Sequence, residues 1–174
     1  MRSSLAASAL AALLLTSTFA GAQDFGAAFS GFDTGSGDPI QIEADKLEVR
    51  DEEKVAVYSG HVRVRQGDTI LEAPELRVFY AGQAAPDGAA GSSVTRIEAG
   101  PGVSVRSGDQ TATGDRAVLD MAKDLVTLEG NVLLTQGTNV VRGDRVVVNL
   151  ATKQGRVEGG RVQTLITPGE AGGQ

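Results

Sequence analysis

The chain has no cysteine and no tryptophan, a single histidine, and aromatic residues at only 4% of its length. Without cysteine there is neither a disulfide framework nor a thiolate metal site, so packing alone must hold the fold. With His61 the sole histidine, no Ser/His/Asp arrangement can be built on any other base. A phosphate-loop lysine motif is missing, and Gly35-Ser36-Gly37 and Gly100-Pro101-Gly102 lack the third glycine and following helix of a dinucleotide site. That excludes ATP hydrolysis by this chain alone. Asp51-Glu52-Glu53-Lys54 lacks the ligand spacing of a calcium loop and reads as a solvated hairpin turn. Acidic residues outnumber basic ones, 22 to 16, a poor match for the phosphates of nucleic acid. The expectation is a non-enzymatic protein with no catalytic residue, no metal and no cofactor.

Long apolar runs are also missing. The run from Leu5 to Leu15 follows Arg2 and precedes Ala20-Gly21-Ala22, the pattern of a secretory signal with a small-residue cleavage site. It is too short for a membrane span, which needs roughly 20 apolar residues. Residues 1–22 are therefore expected to be a cleavable signal peptide. Residues 23–38, rich in Gly, Ala, Ser and Asp, read as a flexible leader. Residues 39–168 read as one domain and 169–174 as a flexible tail.

What the chain does have is glycine, 23 residues of it, and short runs of Val, Ile and Leu alternating with polar residues. The period of two recurs at Ile40/Ile42, Leu47/Val49, Val55/Val57, Val62/Val64, Leu76/Val78, Val103/Val105, Leu119/Met121, Val126/Leu128 and Val146/Val148. About a dozen short strands and no helix follow from it. In Val62-Arg63-Val64-Arg65 the valines point one way and the arginines the other, so one face of the sheet is apolar and the other wet. A sandwich, a jelly roll or a β-solenoid would satisfy this pattern.

The strands also repeat. Ala44-Asp45-Lys46-Leu47 returns as Ala73-Pro74-Glu75-Leu76, Gly114-Asp115-Arg116-Ala117 and Gly143-Asp144-Arg145-Val146, at offsets of 29, 41 and 29 residues. The longer offset is 29 plus 12, with a loop insertion visible at residues 81–93. In the same register lie Gly60-His61-Val62, Pro101-Gly102-Val103 and Gly130-Asn131-Val132. His61 thus matches Gly102 and Asn131, residue types that tolerate left-handed backbone, and is expected to shape a turn. Such units cannot cover their apolar faces alone and must stack.

Three segments resemble the LptA/OstA family of periplasmic lipopolysaccharide-transport proteins: Pro39-Ile40-Gln41-Ile42-Glu43-Ala44-Asp45, residues 122–132 (AKDLVTLEGNV), and Gly143-Asp144-Arg145 with its strand. The similarity runs from Pro39 to Pro168. It implies a twisted, V-shaped antiparallel β-jelly roll whose apolar interior holds the acyl chains of lipid A. It also implies end-to-end self-assembly between an inner-membrane LptC-like partner, at the N-terminal edge, and an outer-membrane LptD-like translocon, at the C-terminal edge. Ile40, Ile42, Leu119 and Met121 match lipid-facing positions of the family, and the internal repeat extends the set to Val146, Val148 and Leu150. Alternation alone adds Leu47, Val49, Val62, Val64, Leu76, Val78, Val103, Val105, Leu128, Val132 and Leu134. The bland alternative is a β-solenoid structural or adhesin module whose apolar face is merely a filled core.

Overall fold

The computed structural model describes residues 38–82 and 94–166; the expected signal peptide, nearly all of the leader, most of the 81–93 loop and the C-terminal tail lie outside them. The described residues form twelve β-strands and no helix. In chain order these are β1 (Gln41–Glu43), β2 (Lys46–Arg50), β3 (Val55–Gln66), β4 (Thr69–Tyr80), β5 (Val94–Gly100), β6 (Val103–Ser107), β7 (Gln110–Gly114), β8 (Arg116–Asp120), β9 (Leu125–Gln136), β10 (Asn139–Asn149), β11 (Gln154–Glu158) and β12 (Gln163–Leu165). They hydrogen-bond into one sheet with every pairing antiparallel. Antiparallel ladders rule out the closed parallel coils of a solenoid and give the β-jelly roll.

The sheet is creased into two leaves. Leaf one consists of β1, the C-terminal part of β3, the N-terminal part of β4, β6, β7, the C-terminal part of β9, the N-terminal part of β10, and β12. Leaf two takes β2, the other halves of β3, β4, β9 and β10, and β5, β8 and β11. Eight chain segments thus cross the crease: 41–50, 55–66, 69–80, 94–107, 110–120, 125–136, 139–149 and 154–165.

The repeated motifs build the crease. Gly60 and His61 carry φ of 77° and 47°, and Gly130 and Asn131 carry 76° and 48°. At both places the ladder shifts register, between Ser59 and Val62 and between Gly143 and Arg145. An extra residue in left-handed conformation is a β-bulge, which bends a strand and sharpens its twist. His61 therefore has the backbone role its alignment with Gly102 and Asn131 suggested, within a bulge rather than a turn. The amide of Asp45 donates to the Gly60 carbonyl and that of Asp115 to the Gly130 carbonyl, both at 2.9 Å.

Inside the fold the apolar side chains form rows across the strands. In leaf one, Ile42, Val64, Leu71, Val105, Ala112, Leu134 and Val141 are successive cross-strand neighbours. In leaf two one row runs Leu47, Tyr58, Leu76, Ala99, Ala117, Leu128, Val146, Val157, and the next Val49, Ala56, Val78, Ile97, Leu119, Val126, Val148. These rows meet in a single core. One phase differs from expectation: in β3 the inward residues are Ala56 and Tyr58, while Val57 faces outward opposite Glu48 and Arg77. The hydrophobic pair Val55/Val57 misleads because small Ala56 holds the place on the inner face, between Val49 and Val78, while Val55 is buried outside the inner rows.

Candidate functional site

Alternation brings the sequence-derived site residues to one place, the inner face of the two leaves. Val62, Val103 and Val132 lie beside the crease; Val64, Val105 and Leu134 follow in leaf one, and Leu76, Val78, Leu128, Val146 and Val148 in leaf two, all buried. Ile42, Leu119, Met121 and Leu150 are half-buried, while Ile40, Leu47 and Val49 are exposed. The site residues chosen from the sequence leave out Tyr58, Leu71, Ile97, Ala99, Ala112, Ala117, Val126 and Val141, which share the same rows, although Val126 stands in an alternating pair. Four are Ala or Tyr, whose hydrophobicity marks a face weakly, and Ile97 has only Thr95 and the small Ala99 at period two.

Between the leaves remains an apolar cavity of about 60 Å³. Ile40, Ile42, Val64 and Leu71 of leaf one face Leu76, Ile97, Leu119 and Val126 of leaf two across it. Small-molecule pockets run to roughly 300–1,000 Å³, so the interior is close to shut. The interior is continuous in chemistry but needs the leaves to part before a chain can lie in it. A larger cleft, about 1000 Å³, follows the crease and mixes polar residues with Val62, Ala73, Pro74 and Val103. Within it Arg63 pairs with Glu72, and His61 Nδ1 lies 2.7 Å from Asp45 Oδ2. Among the described residues no group of His, Asp and Glu could hold a metal ion.

The inner face reaches solvent at the N-terminal sheet edge. Among the described residues the exposed large apolar ones are Ile40, Leu47 and Val49 at the N-terminal edge and Val162, Leu165 and Ile166 at the C-terminal edge. Leu47 and Val49 stand in the inner rows opposite Tyr58 and Ala56. β1 and β2 pair only with β3, and β11 and β12 only with β10, so each edge offers unused backbone donors and acceptors.

Residues 41–154 match the family described as "LptA/(LptD N-terminal domain) LPS transport protein". The chain belongs to this family. It is 35% identical over 167 residues to the uncharacterized protein R00383 of Rhizobium meliloti (strain 1021), covering 94% of this chain and 89% of that one. Its fold matches LptH of Pseudomonas aeruginosa, described as the LptA-homologous periplasmic component of the lipopolysaccharide transport device, at a TM-score of 0.62 and 19% identity. The match covers 75% of this chain and 96% of LptH. No helix among the described residues is long and apolar enough to cross a membrane.

Proposed function

We propose that this family member is exported to the periplasm, binds lipopolysaccharide by taking lipid A acyl chains between its two leaves, and joins copies of itself end to end into a bridge between the membranes. One observation carries the reading: the exposed large apolar residues among the described ones all lie at the two sheet edges, and at the N-terminal edge Leu47 and Val49 leave the ends of the inner rows uncovered. A filled structural core would close there.

Acyl chains are the natural handle. The protein is acidic, with a formal charge of −6, and gains little from an anionic headgroup. Parting the leaves exchanges side-chain packing for packing against methylenes, apolar for apolar, at small net cost. Full enclosure at about 0.8 kcal/mol per methylene would hold a chain of ~12 carbons by close to 10 kcal/mol, too tightly for a conveyor. Partial burial, offset by the leaf-to-leaf packing that opening gives up, suits hand-over, with directionality supplied by an ATP-driven partner.

The strand count supports a head-to-tail junction. The first segment crosses from leaf one to leaf two and the eighth from leaf two to leaf one. A second copy's first segment therefore fits antiparallel beside this copy's eighth, with both leaves in line. Such a heterologous contact does not close and extends as a rod. In the bridge, an LptC-like partner would meet the N-terminal edge and an LptD-like translocon the C-terminal edge. Native mass spectrometry of the protein purified from a lipopolysaccharide-producing host tests the ligand: bound lipid A is expected, and a protein that carries none even after incubation with lipopolysaccharide sinks the reading.

A further inference from the structure

The outermost inner row of leaf one is not apolar. Gln66, Thr69, Ser107, Gln110, Gln136 and Asn139 are successive cross-strand neighbours from β3 to β10. Each carries a hydrogen-bonding side chain and none is charged. The next row inward, from Val64 to Val141, holds no polar side chain across the same strands. The corresponding margin of leaf two carries Tyr80, Val94, Met121 and Leu150, with Lys54 and Asp124 in the turns beside Tyr80 and Leu150, so it has no matching row of neutral amides and hydroxyls.

A polar row at hairpin tips is ordinary when water reaches it, yet here much of it is enclosed. Thr69 is 1% exposed, Gln66 4% and Gln110 8%. Thr69 Oγ1 donates to Ser107 Oγ at 3.0 Å, and Gln66 Nε2 to the Asp38 carbonyl at 3.3 Å. The Gln110 side chain has no hydrogen-bond partner among the described residues, and a buried amide in that state costs about 1–3 kcal/mol of desolvation. Leucine would fit a structural role better.

We infer that this row is a subsite for the neutral polar linkages of the bound lipid: the amide and ester carbonyls, and the hydroxyls beside them, where acyl chains join their sugar. Gln, Asn, Ser and Thr both donate and accept, which suits carbonyl and hydroxyl groups together. With no Lys or Arg, the row offers no charge-assisted contact to a phosphate and suits neutral groups better. With linkages held along this margin, the tails extend over the Val64–Val141 row toward the crease, so the row sets which way round the lipid lies. The inference rests on the lipid-binding reading above.

Two synthetic glycolipids of equal chain length test it on the full mature protein. One is glucosamine carrying amide- and ester-linked 3-hydroxytetradecanoyl chains; the other carries tetradecyl ethers with neither carbonyl nor hydroxyl. The wild-type protein should prefer the first by about tenfold, the worth of one to two hydrogen bonds. Gln110→Leu combined with Gln136→Leu should bring the ratio toward one, with a melting temperature unchanged or raised, since a buried unpartnered amide has been removed. Equal binding of the two probes by the wild-type protein, or a preference that survives in the variant, overturns the subsite. Binding of neither probe by the wild-type protein overturns the lipid reading itself, and the subsite with it.

Discussion

The Asp115 carboxylate accepts a hydrogen bond from Nδ2 of Asn131 at 2.9 Å, across the place where both chain segments pass from one leaf to the other. The same carboxylate sits over Gly130, where a Cβ would overlap it, and the Gly130 φ of 76° independently disfavours a side chain. Asp45 with Gly60 and Asp144 with Gly159 repeat the arrangement. Gly130→Ala should therefore cost about 1–3 kcal/mol, seen as a melting temperature lower by roughly 3–10 °C. Asn131→Gly keeps the left-handed backbone, loses one exposed hydrogen bond, and should cost less than half as much. A Gly130→Ala protein melting with the wild type would remove the crease from the account of the fold.

Burial separates residues that hold the leaves from residues that can be altered to probe the ligand. Leu128 is fully enclosed, and Leu128→Ala should destabilise by about 2–5 kcal/mol in a denaturant titration. Val148 is equally enclosed, so a charge there is a folding lesion, contrary to the even treatment of Val148 and Leu119 that alternation suggests. Leu119, half-buried and lining the cavity, admits the cleaner test. Leu119→Asp should abolish photocrosslinking of lipopolysaccharide from a probe at Ile42 while preserving the far-ultraviolet circular dichroism spectrum. Undiminished crosslinking would move the acyl chains elsewhere.

The strands were legible because period-two alternation and the 29-residue repeat are local signals, whereas their antiparallel class and the V shape came only with the family resemblance, since the same alternation also suits a solenoid. Val62/Val64 and Val103/Val105 point inward as their spacing says. Three things were not legible. Which phase of β3 faces inward depends on what lies across the strand: Ala56 is buried because Val49 and Val78 flank it, a fact of pairing rather than of residue type. The row from Gln66 to Asn139 reads as six unrelated polar residues near glycine turns until register aligns them. How far the leaves close was also beyond alternation, which assigns a face but not the space above it.

Glu98 gives the outer face a pH dependence. Burial disfavours its ionised form, but hydrogen bonds from Arg96 at 2.6 Å and Arg116 at 2.7 Å outweigh that and hold its carboxyl below the usual glutamate range. A carboxyl lowered by folding stabilises the native state when ionised. That contribution is present above the unfolded value of about 4.3 and is lost as pH falls through the lower native value. With both arginines about half exposed, it should stay below about 1 kcal/mol. Glu98→Gln should therefore melt slightly lower than the wild type at pH 7 and together with it well below pH 4. A gap that widens in acid would mean that burial, not the arginines, controls this carboxyl.

The edges make the assembly testable without touching the enclosed rows. Val49, inward-facing but exposed at the N-terminal edge, and Leu165, outward-facing and 64% exposed at the C-terminal edge, should become buried when copies join. Val49→Lys and Leu165→Glu should each leave the monomer's melting temperature within a few degrees, since neither packs in the core. Each should also prevent the concentration-dependent growth in mass expected of the wild type in sedimentation. A head-to-tail junction makes a further demand: Val49→Lys retains a sound C-terminal edge and Leu165→Glu a sound N-terminal edge. Mixed, they should form a dimer and stop there, because both outer edges of that dimer are blocked. A symmetric junction between like edges behaves differently: one of the variants alone would dimerise, and mixing would add nothing. Dimers from a single variant would thus refute the rod, whatever the lipid measurements show.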